Sequence, residues 1–310
     1  MSLLIGTGDG VYRSASGALD DVERVLDSGV TLRVRTFEHF EGVFATSKTG
    51  LYRSVDGGTT WENLGVPREE VFSVVGSPDG ARLYAGTHPA HLYVSRDQGE
   101  TWDELDGFQE LPSQEQWHTP RHRDSAHVRS LGVHSDAPER VIAGIEVGGV
   151  HVSEDNGETW SERRDGLPER GDDLQYDVHH VLVLGADEYV VSCGGGLYRT
   201  HDAGRSWRRL DTGSNYPYFQ EAFAYRGRLY AAAETLPPSP PAALFESVGG
   251  GDSFESLPYP GEPDEFVVAW TAVGGRILAG TTKGRVIARE DDGWITLGRV
   301  PAGIGSLTSA

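Results

Sequence analysis

Between Trp117 and His127 the chain reads Trp-His-Thr-Pro-Arg-His-Arg-Asp-Ser-Ala-His, which sets His118, His122 and His127 beside Arg121 and Arg123. Imidazoles can ligate a divalent metal or move protons near neutral pH, and guanidinium groups can clamp a carboxylate or phosphate through paired hydrogen bonds. His88, His91, Arg129, Glu146, Asp177, His179 and His180 add groups of the same kinds elsewhere in the chain. Gathered at one place, these residues open two chemistries. One is metal-assisted polarisation of a substrate oxygen or activation of water, with His122, His127 and His179 as candidate ligands of a divalent cation. The other is capture of an anionic small molecule, such as a sugar acid, by Arg121, Arg123 and Arg129. Plainer roles stand beside both. No tight ligand spacing such as H-E-x-x-H occurs, histidines in a loop can simply bond their own backbone, and an arginine on an acidic surface commonly pairs with a neighbouring carboxylate. His179 and His180 are adjacent in an alternating run, so at most one faces a given side. Cys193, next to three glycines, reads as a small packing residue.

The elements that must position these groups are legible as repeats. A hairpin pattern of an apolar run, a small-residue turn and a second apolar run begins at Leu3, Val43, Leu83, Val141, Tyr189, Leu229 and Ile277. Its period of about 40 to 58 residues suits a four-stranded propeller blade. Further alternating runs precede five of the hairpins, at Val71–Val75, Val128–Val133, Val178–Val183, Gln220–Ala224 and Phe266–Trp270, and read as innermost strands. A spare run at Ile304–Thr308 ends the chain. The expected fold is therefore all-β, a seven-bladed propeller over residues 1–310 as one domain, closed by the C-terminal strand joining the first blade. Ligands would gather at the channel mouth formed by the loops entering the inner strands and by the hairpins of the middle strands. The long insertion at 107–127 and the segment Glu234–Pro241 enter that mouth. It is expected to collect His88, Arg121, His122, Arg123, His127, Glu146, Asp177 and His179.

Four stretches, Ser54–Trp61, Ser95–Trp102, Ser153–Trp160 and Thr200–Trp207, share the pattern S/T-x-D-x-G-x-T/S-W. It resembles the Asp-box, or BNR repeat, of sialidases and many other β-propellers. Asp56, Asp97, Asp155 and Asp202 are suited to accept backbone N–H groups across a tight turn, and Trp61, Trp102, Trp160 and Trp207 to fill the gaps between blades. Decayed copies stand at Ser247–Phe254 and Asp291–Trp294. Families with this box include sialidases, xyloglucan-degrading glycosidases, sortilin-type receptors and a photosystem II assembly factor. The resemblance implies that the boxes lie away from any active centre. A sialidase would also carry an Arg-Ile-Pro motif, and none occurs; Arg33 and Arg35 lack that context. The xyloglucan enzymes pair two propellers, and this chain has residues for one. The assembly factor is similar in length and blade count, but a leader and a basic patch are expected there.

With 47 acidic and 27 basic residues the net charge is −20, which disfavours nucleic acid as a partner. Lysine occurs only at Lys48 and Lys283, so the acidity points to a halophilic source. One cysteine excludes an intramolecular disulfide, no apolar run is long enough to span a membrane, and the first residues lack a basic leader, so a cytoplasmic protein is expected. The functional expectation is a binding propeller that takes a small anionic or carbohydrate-like ligand, or a protein partner, at the mouth. The alternative is a glycoside hydrolase or lyase acting on a sugar acid with help from a metal in the histidine-rich mouth.

Overall fold

In the computed structural model, which describes all residues except 1, 18, 170–175, 213–215, 235–241, 249–250, 252, 263 and 292, the described strands form seven four-stranded antiparallel sheets arranged as a ring of blades. Residues 235–241 of the expected mouth segment thus lie outside the described part. The innermost strands are Ile304–Ser309, Thr31–Phe37, Val71–Gly76, His127–His134, Val178–Val183, Tyr218–Tyr225 and Val267–Val273, for blades 1 to 7. Blade 1 is completed from the other end of the chain, with Leu3 opposite Ser309 and Ile5 opposite Leu307. This is the closure expected from the spare C-terminal run. The inner strand of blade 2, Thr31–Phe37, was not among the five runs read from sequence. Its Leu-Arg-Val-Arg core puts arginine at alternate positions, so it does not read as an apolar run.

The second strand of a blade is covered on both faces, and Leu3–Thr7, Leu83–Thr87 and Tyr189–Cys193 are buried throughout. Within it a recurrent glycine lets the next blade come close. A Cβ on Gly86 would stand 2.5 Å from Val128, one on Gly144 would stand 2.7 Å from Val178, and one on Gly280 would stand 2.6 Å from Ile304. The last of these contacts joins blade 7 to blade 1. Inner strands are also stitched by serine: Ser73 Oγ donates to the Val128 carbonyl at 2.7 Å, and Ser130 Oγ accepts from Val181 N at 3.0 Å.

The Asp-boxes link the third and fourth strands of blades 2 to 5 and behave as turn clamps. Asp56 accepts from the N–H groups of Thr59 and Thr60 at 2.9 Å each, and the Asp97, Asp155 and Asp202 carboxylates repeat the bond to the equivalent fourth residue. These bonds hold Asp97 and Asp202 down at about 2, well within the ionised range. Trp102 and Trp207 donate to the Leu64 and Arg163 carbonyls of the preceding blade, whereas Trp61 and Trp160 bond within their own box. Because strands alternate in direction, the boxes end up on the face opposite the starts of the inner strands. Whatever gathers at those starts is one propeller thickness away from the boxes.

Candidate functional site

The insertion reaches the mouth because aromatic side chains anchor it. Phe108 and Trp117 are buried with ring centroids 5.4 Å apart, and Trp117 packs on His151 of blade 4 at 5.2 Å. The chain then turns through three successive left-handed residues, His122 at φ 50°, Arg123 at 57° and Asp124 at 60°. Such backbone is strained for side-chain-bearing residues and needs contacts to hold it.

Those contacts converge on Glu146, at the end of the second strand of blade 4. His122 Nε2 donates to its Oε1 at 2.7 Å, His127 Nε2 stands 3.1 Å from Oε2, Arg129 is paired with Oε2, and Arg121 Nη1 lies 3.8 Å from Oε1. Arg121 also reaches Asp177 of blade 5 at 2.7 Å, and Arg123 reaches Glu70 at 2.6 Å. His88 and Phe72 pack on the His127 ring, with centroids 5.8 and 4.1 Å away. Of the residues expected at the mouth, six thus form one connected knot, with Arg123 paired to Glu70 next to it. His179 lies beside it, its Nδ1 donating to the Phe219 carbonyl at 2.6 Å and its ring 4.6 Å from that of Tyr218.

Burial pushes His127 and His179 down to about 4, so both are neutral at neutral pH, and it lowers His88 as well. Burial alone would raise the Glu146 carboxyl, but Arg129 and the two histidines hold it well below the usual range. Burial leaves Asp177 raised despite its bond to Arg121. His122, His127 and Glu146 offer ligand atoms within 4.8 Å of one another. Two guanidinium groups flank this trio, and Arg129 already holds one of the carboxylate oxygens. The donor set therefore fits an ion-pair hub better than a dication.

The other half of the mouth is open. A cavity of about 420 Å³ lies between the inner strands of blades 1, 2, 6 and 7, with Arg129 of blade 4 at its far wall. Arg33, Arg129, Gln220 and Glu221 supply its polar lining. Arg35 pairs with Glu221 at 3.0 Å, and His180 Nε2 stands 3.5 Å from the same oxygen. Arg33 reaches across the channel to the His179 carbonyl at 3.4 Å and to its own neighbour Leu32 at 3.0 Å. Among the described residues it has no carboxylate within 4 Å. Burial pushes it down to about 10, Glu221 partly restores it, and Arg35 and Arg129 lower it again. It remains a cation at neutral pH. Arg129 joins the two halves, with one nitrogen on Glu146 and the other on Gln220 Oε1 at 3.2 Å. Nearby, Glu234 is buried opposite Tyr218, and burial raises its carboxyl to about 7.

The expected site included none of Arg33, Arg35 and Glu221, and it held Glu234 only as the first residue of the mouth segment. The available signal was the i, i+2 spacing of Arg33 and Arg35, which puts both on one face of a strand. Outside the mouth cluster, His91 pairs with Glu104 and His118 turns back toward the Asp124 carbonyl. Cys193 is fully buried, and burial pushes its thiol far above the reactive range.

A BNR/Asp-box repeat model matches residues 93–104. A curated relative, the oligoxyloglucan-reducing end-specific xyloglucanase of Emericella nidulans, is 24% identical over 220 residues, 59% of this chain and 27% of that protein. The chain thus spans about a quarter of that relative's length. Among solved structures, the GH74 xyloglucanase of Xanthomonas campestris superposes with a TM-score of 0.73 at 18% identity, covering 96% of this chain and 52% of that one. YCF48 bound to D1 peptide superposes at 0.64 with 15% identity, covering 98% and 86%. The structural likenesses show the fold, and with the repeat they make this chain a seven-bladed Asp-box propeller.

Proposed function

We propose that this propeller binds a small anionic, carbohydrate-like ligand in the open half of its mouth, with Arg33 as the principal anchor. The observation that carries the reading is a protonated guanidinium facing a cavity of about 420 Å³ without a carboxylate of its own, beside a second guanidinium, Arg129. A cation in partly desolvated surroundings binds an oxyanion more strongly than one in water. The likeness to GH74 xyloglucanases supports a sugar as the carrier of that charge, and the likeness to the peptide-bound YCF48 structure leaves a peptide as the competing occupant.

Glu234 favours a second reading, a hydrolase or lyase of a sugar acid. A carboxyl raised to about 7 is partly protonated at neutral pH and suits a general acid. Calorimetry with glucuronate, galacturonate and glucose tests the first reading. The uronates should bind and glucose should not, and Arg33→Ala should weaken uronate binding by about tenfold or more. Equal binding of glucose, or an unchanged Arg33→Ala variant, overturns it. Uronate-containing oligosaccharides cleaved by the native chain and not by Glu234→Gln would establish the second.

A further inference from the structure

On the opposite face, between blades 6 and 7, lies a cleft of about 530 Å³ that belongs to neither half of the mouth. We propose that it is a separate binding site for the phosphate monoester group of a small organic molecule. Its position is distinctive. Blades 2 to 5 carry an Asp-box carboxylate on this face, whereas the copy in blade 6 has lost the aspartate and the copy in blade 7 is shortened. Four arginines, Arg226, Arg228, Arg276 and Arg289, line the cleft together with three carboxylates, Glu246, Glu290 and Asp291.

Among the described residues, the pairing within the cleft leaves one guanidinium over. Glu246, itself buried, holds Arg228 and also Arg289 at 3.3 Å, and Glu290 holds Arg276. Arg226 has no carboxylate partner among the described residues. Its guanidinium lies over the Tyr225 ring, 5.1 Å from the centroid, which fixes its direction. Two side-by-side hairpin turns build this arrangement. In one, Arg226 adopts φ 50° ahead of Gly227, a conformation unfavourable for a residue with a side chain. In the other, Gly274 and Gly275 take φ 59° and 86°, the left-handed conformation that glycine adopts most easily. The strained residue is the one whose guanidinium has no carboxylate partner among the described residues.

A phosphate monoester is the group this geometry suits. It carries close to two charges at pH 7.5 and three acceptor oxygens, enough to engage Arg226 while sharing the donors of Arg276. The cleft volume is in the range of small-molecule pockets. Calorimetry at low salt and pH 7.5, with phenyl phosphate as the probe and phenyl sulfate as a singly charged control of the same shape, tests it. Phenyl phosphate should bind saturably and at least about tenfold more tightly than phenyl sulfate. Arg226→Gly, which removes the guanidinium and relieves the positive φ, should weaken that binding by about tenfold or more while leaving the melting temperature unchanged or higher. Arg33→Ala should leave it intact. Equal affinity for the two probes, retained affinity in Arg226→Gly, or loss in Arg33→Ala each overturns the proposal. Since uronate binding at the mouth is read with Arg33→Ala, the two sites fail or stand separately.

Discussion

The two halves of the channel mouth have similar side chains and opposite characters. Over blades 3 to 5 the insertion brings histidines, arginines and acids together, and their charges pair around Glu146, buried and folded over by Arg121 and His122, while buried imidazole nitrogens such as His88 Nδ1 and His127 Nδ1 have no hydrogen-bond partner among the described residues. Over blades 1, 2, 6 and 7 there are fewer charged groups, and among the described residues Arg33 has no carboxylate within 4 Å, Glu221 acting on it only from further away. The lesson is that a dense cluster of reactive residue types marks a structural hub when the charges close on each other. A sparser set marks a binding surface when one charge is left facing a cavity.

Removing residues 301–310 should erase the contrast altogether. Ile304 and Gly305 line the open half, and their strand is the innermost of blade 1. Loss of a single cooperative unfolding transition in calorimetry is expected, and an unchanged melting temperature would contradict the closure. A more selective break compares the halves directly. Glu146→Ala leaves Arg129 and His127 without their buried carboxylate and should destabilise by about 3–5 kcal/mol. Arg33→Ala removes an unpaired charge from half-buried surroundings and should change stability by less than about 1 kcal/mol. Urea unfolding of both variants measures the difference, and equal losses would show that the open half is structural too.

The smallest effect separates the halves by pH. His127 and His179, near 4 when folded and ordinarily near 6.5, leave the unfolded chain to take up protons first. They therefore remove stability as pH falls from about 6.5 toward 4. Glu234, near 7 when folded and ordinarily near 4.5, is the protonated group in the fold, and its contribution is full below about 4.5 and lost as pH rises through 7. The two slopes oppose each other in the same window. Glu234→Gln should make stability rise more steeply between pH 5 and 7 than in the native chain, and an identical slope would place Glu234 in ordinary solvation.

Much of the architecture could be read from local pattern. Apolar runs ending in small residues marked the second strands, the Asp-boxes marked the turns between third and fourth strands, and the spare run at Ile304 matched the missing inner strand of blade 1. Thr31–Phe37 escaped notice because channel-facing arginines interrupt its apolar pattern. Among site residues, the knot was legible because the insertion concentrates unusual side chains in one short stretch. Arg33 and Glu221 are 188 positions apart in the chain and each is ordinary in its own surroundings; only the ring places them on one cavity.

By itself, then, the sequence determined the blade count, the register of the turns and the face on which charged loops collect, because all three depend on residues near one another in the chain. Which charges pair and which remain open was decided by tertiary structure alone. Pairing depends on distances across the channel, such as Arg35 to Glu221 and Arg121 to Asp177, and those distances exist only once seven blades have closed.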